Sequence, residues 1–153
     1  MNERFNEQQK EVLQLLKLLD DNDILPHVIL AGSWAEYVYA QGGILPGYSM
    51  TLRTIDVDFL VKNMRKPKEP ISIPKIAKNN GYSISHDVLM DTTKIFSPGG
   101  LEIEFLIPQK GSGEYPVLKT NLGVNAQALR HMEGVIDNAI TADLFGMKVQ
   151  VQQ

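Results

Sequence analysis

Asp56-Val57-Asp58 sets two carboxylates two residues apart inside the apolar run 55–61. A β-strand turns successive side chains to opposite faces, so Asp56 and Asp58 share one face while Ile55, Val57 and Phe59 share the other. Two ionised carboxylates pointing the same way repel, and a strand core does not hold them without compensation. The usual compensation is a divalent cation, whose hard-oxygen chemistry also gathers phosphate groups. Two other features stand in order around this pair. Gly32-Ser33 ends an earlier apolar stretch, 28–31, and Glu102-Ile103-Glu104 repeats the carboxylate alternation later.

The elements that must position these residues can be read from periodicity. Val12, Leu15, Leu16 and Leu19 fall at helical spacing and predict a helix over about 6–19. Asp20 to Asp23 ends it, and Pro26 keeps the connection extended. A short strand over 28–31 runs into Gly32-Ser33, and a helix follows to about Gln41. Ser33-Trp34-Ala35-Glu36 has the form of a capping box, with Ser33 as cap. Trp34 and Val38 are expected to pack this helix on the sheet, with Tyr37 and Tyr39 half-buried. Gly42-Gly43 and Pro46-Gly47 form a loop before the aspartate strand, 54–61.

Lys62, Arg65, Lys66 and Lys68, beside Pro67 and Pro70, make a basic loop. It suits either a nucleic-acid backbone or, more commonly, solvent. Pro74 opens a short helix through Lys78, with Gly81 as its stop. Strands are predicted over 82–86, 93–97 and 101–107, the last two joined at Pro98-Gly99-Gly100. A flexible loop spans 110–116, a short helix 125–132, and a hairpin around Gly146 joins 140–144 to 147–151. His27, His86 and His131 lack metal-ligand spacing. Gly111-Ser112-Gly113 lacks the lysine of a phosphate loop.

A chain of 153 residues fits one domain; at that size it buries roughly two-thirds of its unfolded surface. We divide 1–153 into an N-terminal helix in 1–22, a core over 24–107 and a sheet extension over 117–153. Helix and strand alternate early and strands crowd later, which predicts an α/β (α+β) fold with a mixed central sheet flanked by helices. The final strand-like segment suggests either a domain cut from something longer or a minimal version of the fold. A net charge of −3 gives no global attraction to nucleic acid, so a polyanionic substrate needs local basic groups or metal ions. The absence of cysteine excludes a disulfide framework and thiolate zinc, and fits a reducing cytoplasm. The polar N-terminus lacks the apolar core of a signal peptide, and no apolar stretch approaches a membrane span.

In this order, Ala31-Gly32-Ser33-Trp34, Arg53-Thr54-Ile55-Asp56-Val57-Asp58-Phe59-Leu60 and Ile103-Glu104-Phe105-Leu106 resemble the nucleotidyltransferase superfamily of polymerase-β-like fold, especially its small bacterial members. The resemblance covers about 24–107. It implies transfer of a nucleoside monophosphate from a nucleoside triphosphate to a hydroxyl on a protein, an RNA or a small molecule. It also implies two magnesium or manganese ions, roughly 4 Å apart, stabilising the attacking and leaving oxygens. Gly32 and Ser33 would hold the triphosphate, Arg53 and Thr54 would flank the nucleotide, and Asp56 and Asp58 would hold metal. Glu104 would be the third carboxylate, with Glu102 on the same face as the alternative; many relatives use aspartate there. Some small members work in toxin–antitoxin or phage-defence pairs, which would bring a partner protein.

Two other readings compete. One is a binding or regulatory protein of this fold without activity, favoured by the glutamate at the third position and by the lack of a recognisable acceptor-binding region. The other is a glycosyltransferase using Asp-x-Asp, which normally needs a longer chain.

Overall fold

The computed structural model describes residues 3–41, 56–63, 66–109 and 116–152. Arg53, Thr54 and Arg65, the loop expected at 42–47, and residues 110–115 of the loop expected at 110–116 lie outside the described residues.

Helix α1, Glu3–Asp21, extends beyond the predicted span at both ends. Its stripe of Val12, Leu15, Leu16 and Leu19 is buried as the spacing requires. A single 3₁₀ turn containing Pro26 leads into strand β1, Val28–Ala31, in which all four residues are buried. That is the pattern of a strand with neighbours on both edges and cover on both faces. Gly32 then turns the chain into helix α2, Ser33–Gln41. The helix begins at Ser33, and the Gly32 carbonyl accepts the Ala35 N–H at 3.1 Å. Gly32 therefore fills the cap position, one residue before the expected Ser33. Trp34, Tyr37 and Val38 are all buried, Trp34 and Tyr37 edge to face at 5.4 Å. Tyr37 is thus more deeply placed than half-buried, while the Tyr39 side chain is outside the described set.

Strand β2, Asp56–Val61, pairs antiparallel with β1, and helix α3, Ile73–Asn79, follows it. Strands β3, Ser83–His86, and β4, Thr93–Phe96, form a hairpin. Strand β5, Glu102–Pro108, pairs antiparallel with β4 and parallel with β2. Strands β8, Ile140–Leu144, and β9, Met147–Val151, form the expected hairpin, and β9 docks parallel to β1. The main sheet order is β3-β4-β5-β2-β1-β9-β8.

One sequence expectation fails. Residues 125–132 were expected to be helical, but Asn125–Leu129 is strand β7, paired antiparallel with β6, Val117–Lys119, and parallel with β5. Asn-Ala-Gln-Ala-Leu favours helix locally, but the second half of the β5 edge offers a free ladder, and tertiary pairing overrides propensity. The first half of that edge is taken by β4. The two strands are stitched together where Asn125 N–H donates to Thr93 Oγ1 at 2.8 Å and Asn125 Nδ2 donates to the Asp91 carbonyl at 3.1 Å. A short helix α4, Glu133–Asp137, follows instead.

The core explains why the carboxylates face outward. Val57, Phe59 and Val61 of β2 and Ile103, Phe105 and Ile107 of β5 join α1, α2 and α3 in one buried cluster, with the Phe59 and Phe105 rings stacked at 6.2 Å. Burial of each such side chain contributes about 1.5–3 kcal/mol. Period two then sends Asp56, Asp58, Glu102 and Glu104 to the opposite face.

Gly123 ties this core to α3. Its φ is +82°, and an added Cβ would meet the Ser72 Cα at 3.1 Å, a backbone atom that cannot swing aside. Ser72 caps α3, its Oγ accepting the Lys75 N–H, and the Leu122 carbonyl accepts the Ile73 N–H at 2.9 Å. Gly123→Ala is expected to cost about 2–3 kcal/mol in urea unfolding, against about 1 kcal/mol for Gly100→Ala, which carries only the backbone strain. Gly100 has φ +97° and nothing within 4 Å of its missing Cβ. Equal losses at the two positions would refute the backbone clash.

Candidate active site

The strand registers lay the polar side chains in rows. Ala31 pairs with Asp58, Asp58 with Glu104, Glu104 with Lys94, and Lys94 with Ser85. The second row runs Asp56, Glu102, Phe96, Ser83. Adjacent strands lie about 4.8 Å apart, so each aspartate has a glutamate as its lateral neighbour. Beyond Asp58 the same face closes: Leu60 and its partner Ile29 are both fully buried. Asp58 thus sits where the wet part of the face meets the dry part, whereas Asp56 is exposed.

Electrostatics follow from that position. Burial, then the charges of Glu104, Asp56 and Glu102, push the Asp58 carboxyl up to about 6. Asp56 is also raised, by partial burial and by the charge and hydrogen-bonding approach of Glu102, with Lys94 opposing. Lys94 Nζ stands 3.0 Å from Glu102 Oε1 and 3.5 Å from Glu104 Oε1. Hydrogen bonding to Glu102, followed by its charge, raises the Lys94 ammonium.

Gly32 brings the turn against this face. It has φ +70°, where glycine is at ease, and a Cβ there would lie 3.2 Å from Asp58 Oδ2. Its N–H donates to Gln152 Oε1 at 3.4 Å, a contact that depends on β9 lying beside β1. The structure therefore brings Gly32 and the first turn of α2, which begins at Ser33, together with Asp58, and places Asp56, Glu102 and Glu104 on the same face. A family model described as Nucleotidyltransferase matches residues 10–152. The chain belongs to the nucleotidyltransferase family. No curated protein and no solved structure matches it. The match extends well beyond 24–107, taking in most of α1 and the β8–β9 hairpin that supplies Gln152.

Family membership gives this nucleotidyltransferase-family protein a general chemistry, transfer of nucleotidyl groups, and a nucleotide substrate. Whether its residues suit a metal can be judged from the donors present. Asp56 and Asp58 offer the hard oxygens that magnesium or manganese takes. Both glutamates contact Lys94, Glu102 also meets Asp56, and among the described residues no three carboxylate or imidazole side chains are gathered to hold an ion. The aspartate pair has the donor chemistry that a cation takes, while among the described residues a three-carboxylate cage is not formed.

Lys94 is the residue that sequence reasoning missed. Thr93-Lys94-Ile95-Phe96 alternates, and pairing it across Pro98-Gly99-Gly100 with Glu102-Ile103-Glu104 would have put the lysine on the carboxylate face. Beside Lys94 and Glu104 a cleft of about 150 Å³ is lined also by Asp87, Met90, Thr92 and Gln127. Lys66 and Lys68 of the basic loop are exposed and Lys62 is half-buried. His86 Nδ1 stands 3.8 Å from Asp91 Oδ1, in the turn that follows its own strand. Among the described residues no helix is long and apolar enough to cross a membrane.

Proposed function

We propose that this protein is a metal-dependent nucleotidyltransferase that moves a nucleoside monophosphate from a nucleoside triphosphate to a hydroxyl of a protein, an RNA or a small molecule. The observation that carries the reading is the approach of Gly32 to Asp58, which brings the turn at a helix start against one carboxylate of the Asp56-Val57-Asp58 strand. Backbone N–H groups at the start of α2 and the Ser33 hydroxyl would bind the β- and γ-phosphates, aided by the positive helix end. Asp56 and Asp58 would hold magnesium or manganese, which when bound supplies positive charge to phosphate oxygens. The acceptor oxygen bonds to the α-phosphorus as the bond to the bridging oxygen breaks, and pyrophosphate leaves with that electron pair. Glu104, lateral to Asp58 and at the rim of the cleft, would orient the acceptor hydroxyl and take its proton on a carboxylate oxygen. Arg53 and Thr54 remain assigned to the nucleotide on the sequence resemblance. A cytoplasmic toxin–antitoxin or defence setting, with a partner protein, is part of the same proposal.

The engagement of both glutamates by Lys94 favours a second reading, a relative that binds nucleotide without transferring it. Melting measured with magnesium and a nucleoside triphosphate at about 100 times Kd should rise by about 5–10 °C. Asp56→Asn should lose that rise; an intact rise in the variant removes the triphosphate site proposed here. Labelled nucleotide incubated with cell lysate then separates the two readings, since only a transferase leaves label on protein or RNA.

A further inference from the structure

The β3–β4 hairpin closes on Asp87-Val88-Leu89-Met90-Asp91, a turn whose composition does not suit its place. Turns draw on Gly, Pro, Asn, Asp and Ser, yet here Val88 is 98% exposed and Leu89 93%. With Met90 they make three of the four large apolar side chains that stand exposed among the described residues. The turn is fixed by its own hydrogen bonds. Asp87 Oδ1 accepts the Leu89 and Met90 N–H groups, each at 2.9 Å. The Asp87 carbonyl accepts the Asp91 N–H at 2.8 Å, and the Thr92 carbonyl accepts the Asp87 N–H at 2.9 Å. Asn125 Nδ2 then ties the Asp91 carbonyl to β7. The aliphatic pair is thus held out in water by a hydrogen-bonded frame, and a partner that covers it meets little ordering cost. Two members of the same turn, Asp87 and Met90, line the cleft that also holds Lys94 and Glu104.

We propose that Val88, Leu89 and Met90 form the docking tip for the acceptor, and that the acceptor is a protein segment. It would present an apolar side chain to the tip, basic side chains to Asp87 and Asp91, and a serine, threonine or tyrosine hydroxyl to the cleft beside Glu104. The proposal rests on the nucleotidyltransferase reading above and selects among its three acceptor classes. RNA is held by basic groups and by stacking on aromatic faces. Residues 87–91 have neither, their two aspartates repel phosphate, and the lysine of the cleft is engaged by Glu102 and Glu104. The same aspartates disfavour an anionic lipid surface. A small molecule is taken into a concavity and gains nothing from aliphatic side chains that project. A protein segment uses both the projecting pair and the acidic flanks. Its hydroxyl oxygen bonds to the α-phosphorus, pyrophosphate leaves with the electron pair of the broken bond, and the proton passes to Glu104. The acceptor then carries a nucleoside monophosphate in phosphodiester linkage.

The test compares Val88→Ser/Leu89→Ser with the native protein. Both side chains are exposed and the hydrogen bonds of the turn come from Asp87 and backbone groups, so the variant keeps its fold. Melting with magnesium and a nucleoside triphosphate should show the same rise in both. A labelled mixture of ribonucleoside triphosphates is then incubated with lysate of the cells that encode the protein, and the label is divided into protease-sensitive, ribonuclease-sensitive and low-molecular-mass fractions. The native protein should leave its label on protein, and the variant should leave less by about tenfold or more. Asp91→Asn, which suits the left-handed backbone at that position, should lower the label by a smaller factor. Label on RNA or on small molecules, label confined to a second copy of this chain, or equal protein label from native and variant overturns the docking tip. So does a gain of label with Asp91→Asn, or a melting rise lost in the serine variant, since the tip would then serve the nucleotide. A native rise with no label at all overturns the tip as well and leaves the nucleotide-binding reading standing. No rise in the native protein removes the triphosphate site itself.

Discussion

Asp58→Asn is expected to abolish nucleotidyl transfer while making the metal-free protein more stable. The wild-type carboxyl is pushed up to about 6 by burial and by three negative neighbours, from an ordinary value of 3.8. Between those two values the folded state binds more protons than the unfolded state, so stability falls as pH rises. The deficit is complete above about pH 6 and absent below about pH 4. Allowing for solvent screening at this half-exposed group, it is on the order of 1–2 kcal/mol. An amide has no charge to desolvate. At pH 7.5 without metal, Asp58→Asn should therefore melt about 2–6 °C above the native protein. At pH 4 the two should converge. Manganese should reverse the order, because only the native pair can use the ion. A variant less stable than native at pH 7.5 would mean that the carboxylates are not in conflict in the empty site.

The parts of this site that were legible in the sequence are those fixed by local period. Alternation in 55–61 and 102–107 assigned every carboxylate to its face, because a strand has only two faces and the apolar set claims one. The same rule could not choose between Glu102 and Glu104, which lie on one face by construction. The structure shows why the choice is less sharp than it looked: each glutamate is the lateral neighbour of one aspartate, and Lys94 holds both. Lys94 itself depends on hairpin register, and Gln152 meets Gly32 across 120 residues of chain. The Gln152 contact has no local signature, and the Lys94 contact has one only once 93–97 is paired with 101–107 across Pro98-Gly99-Gly100. The misread segment Asn125–Leu129 fails for the same reason, since its strand state comes from the open half of the β5 edge and not from its own composition.

Gly32→Ala should separate the geometry of the turn from the charge of the carboxylates. Alanine at φ +70° costs about 1–2 kcal/mol in backbone strain, and its Cβ would stand 3.2 Å from Asp58 Oδ2. That is tight enough to push the carboxylate by a few tenths of an ångström. The turn cannot yield easily in the other direction, because the Gly32 carbonyl is committed to the Ala35 N–H and its own N–H to Gln152. Asp58 must move instead, on the one strand where β1 and β5 confine it from both sides. Triphosphate affinity in the presence of manganese is expected to fall at least tenfold, equivalent to about 1.4 kcal/mol. Transfer should fall further, since the reaction needs the phosphates and the carboxylates in register. Gly100→Ala supplies the comparison: its glycine also has a positive φ, +97°, lies in the β4–β5 turn, and would lose stability while keeping native triphosphate affinity. If Gly32→Ala binds triphosphate as the native protein does, the close approach of turn and carboxylate is not what builds the site. The phosphates would then have to be held elsewhere on the sheet.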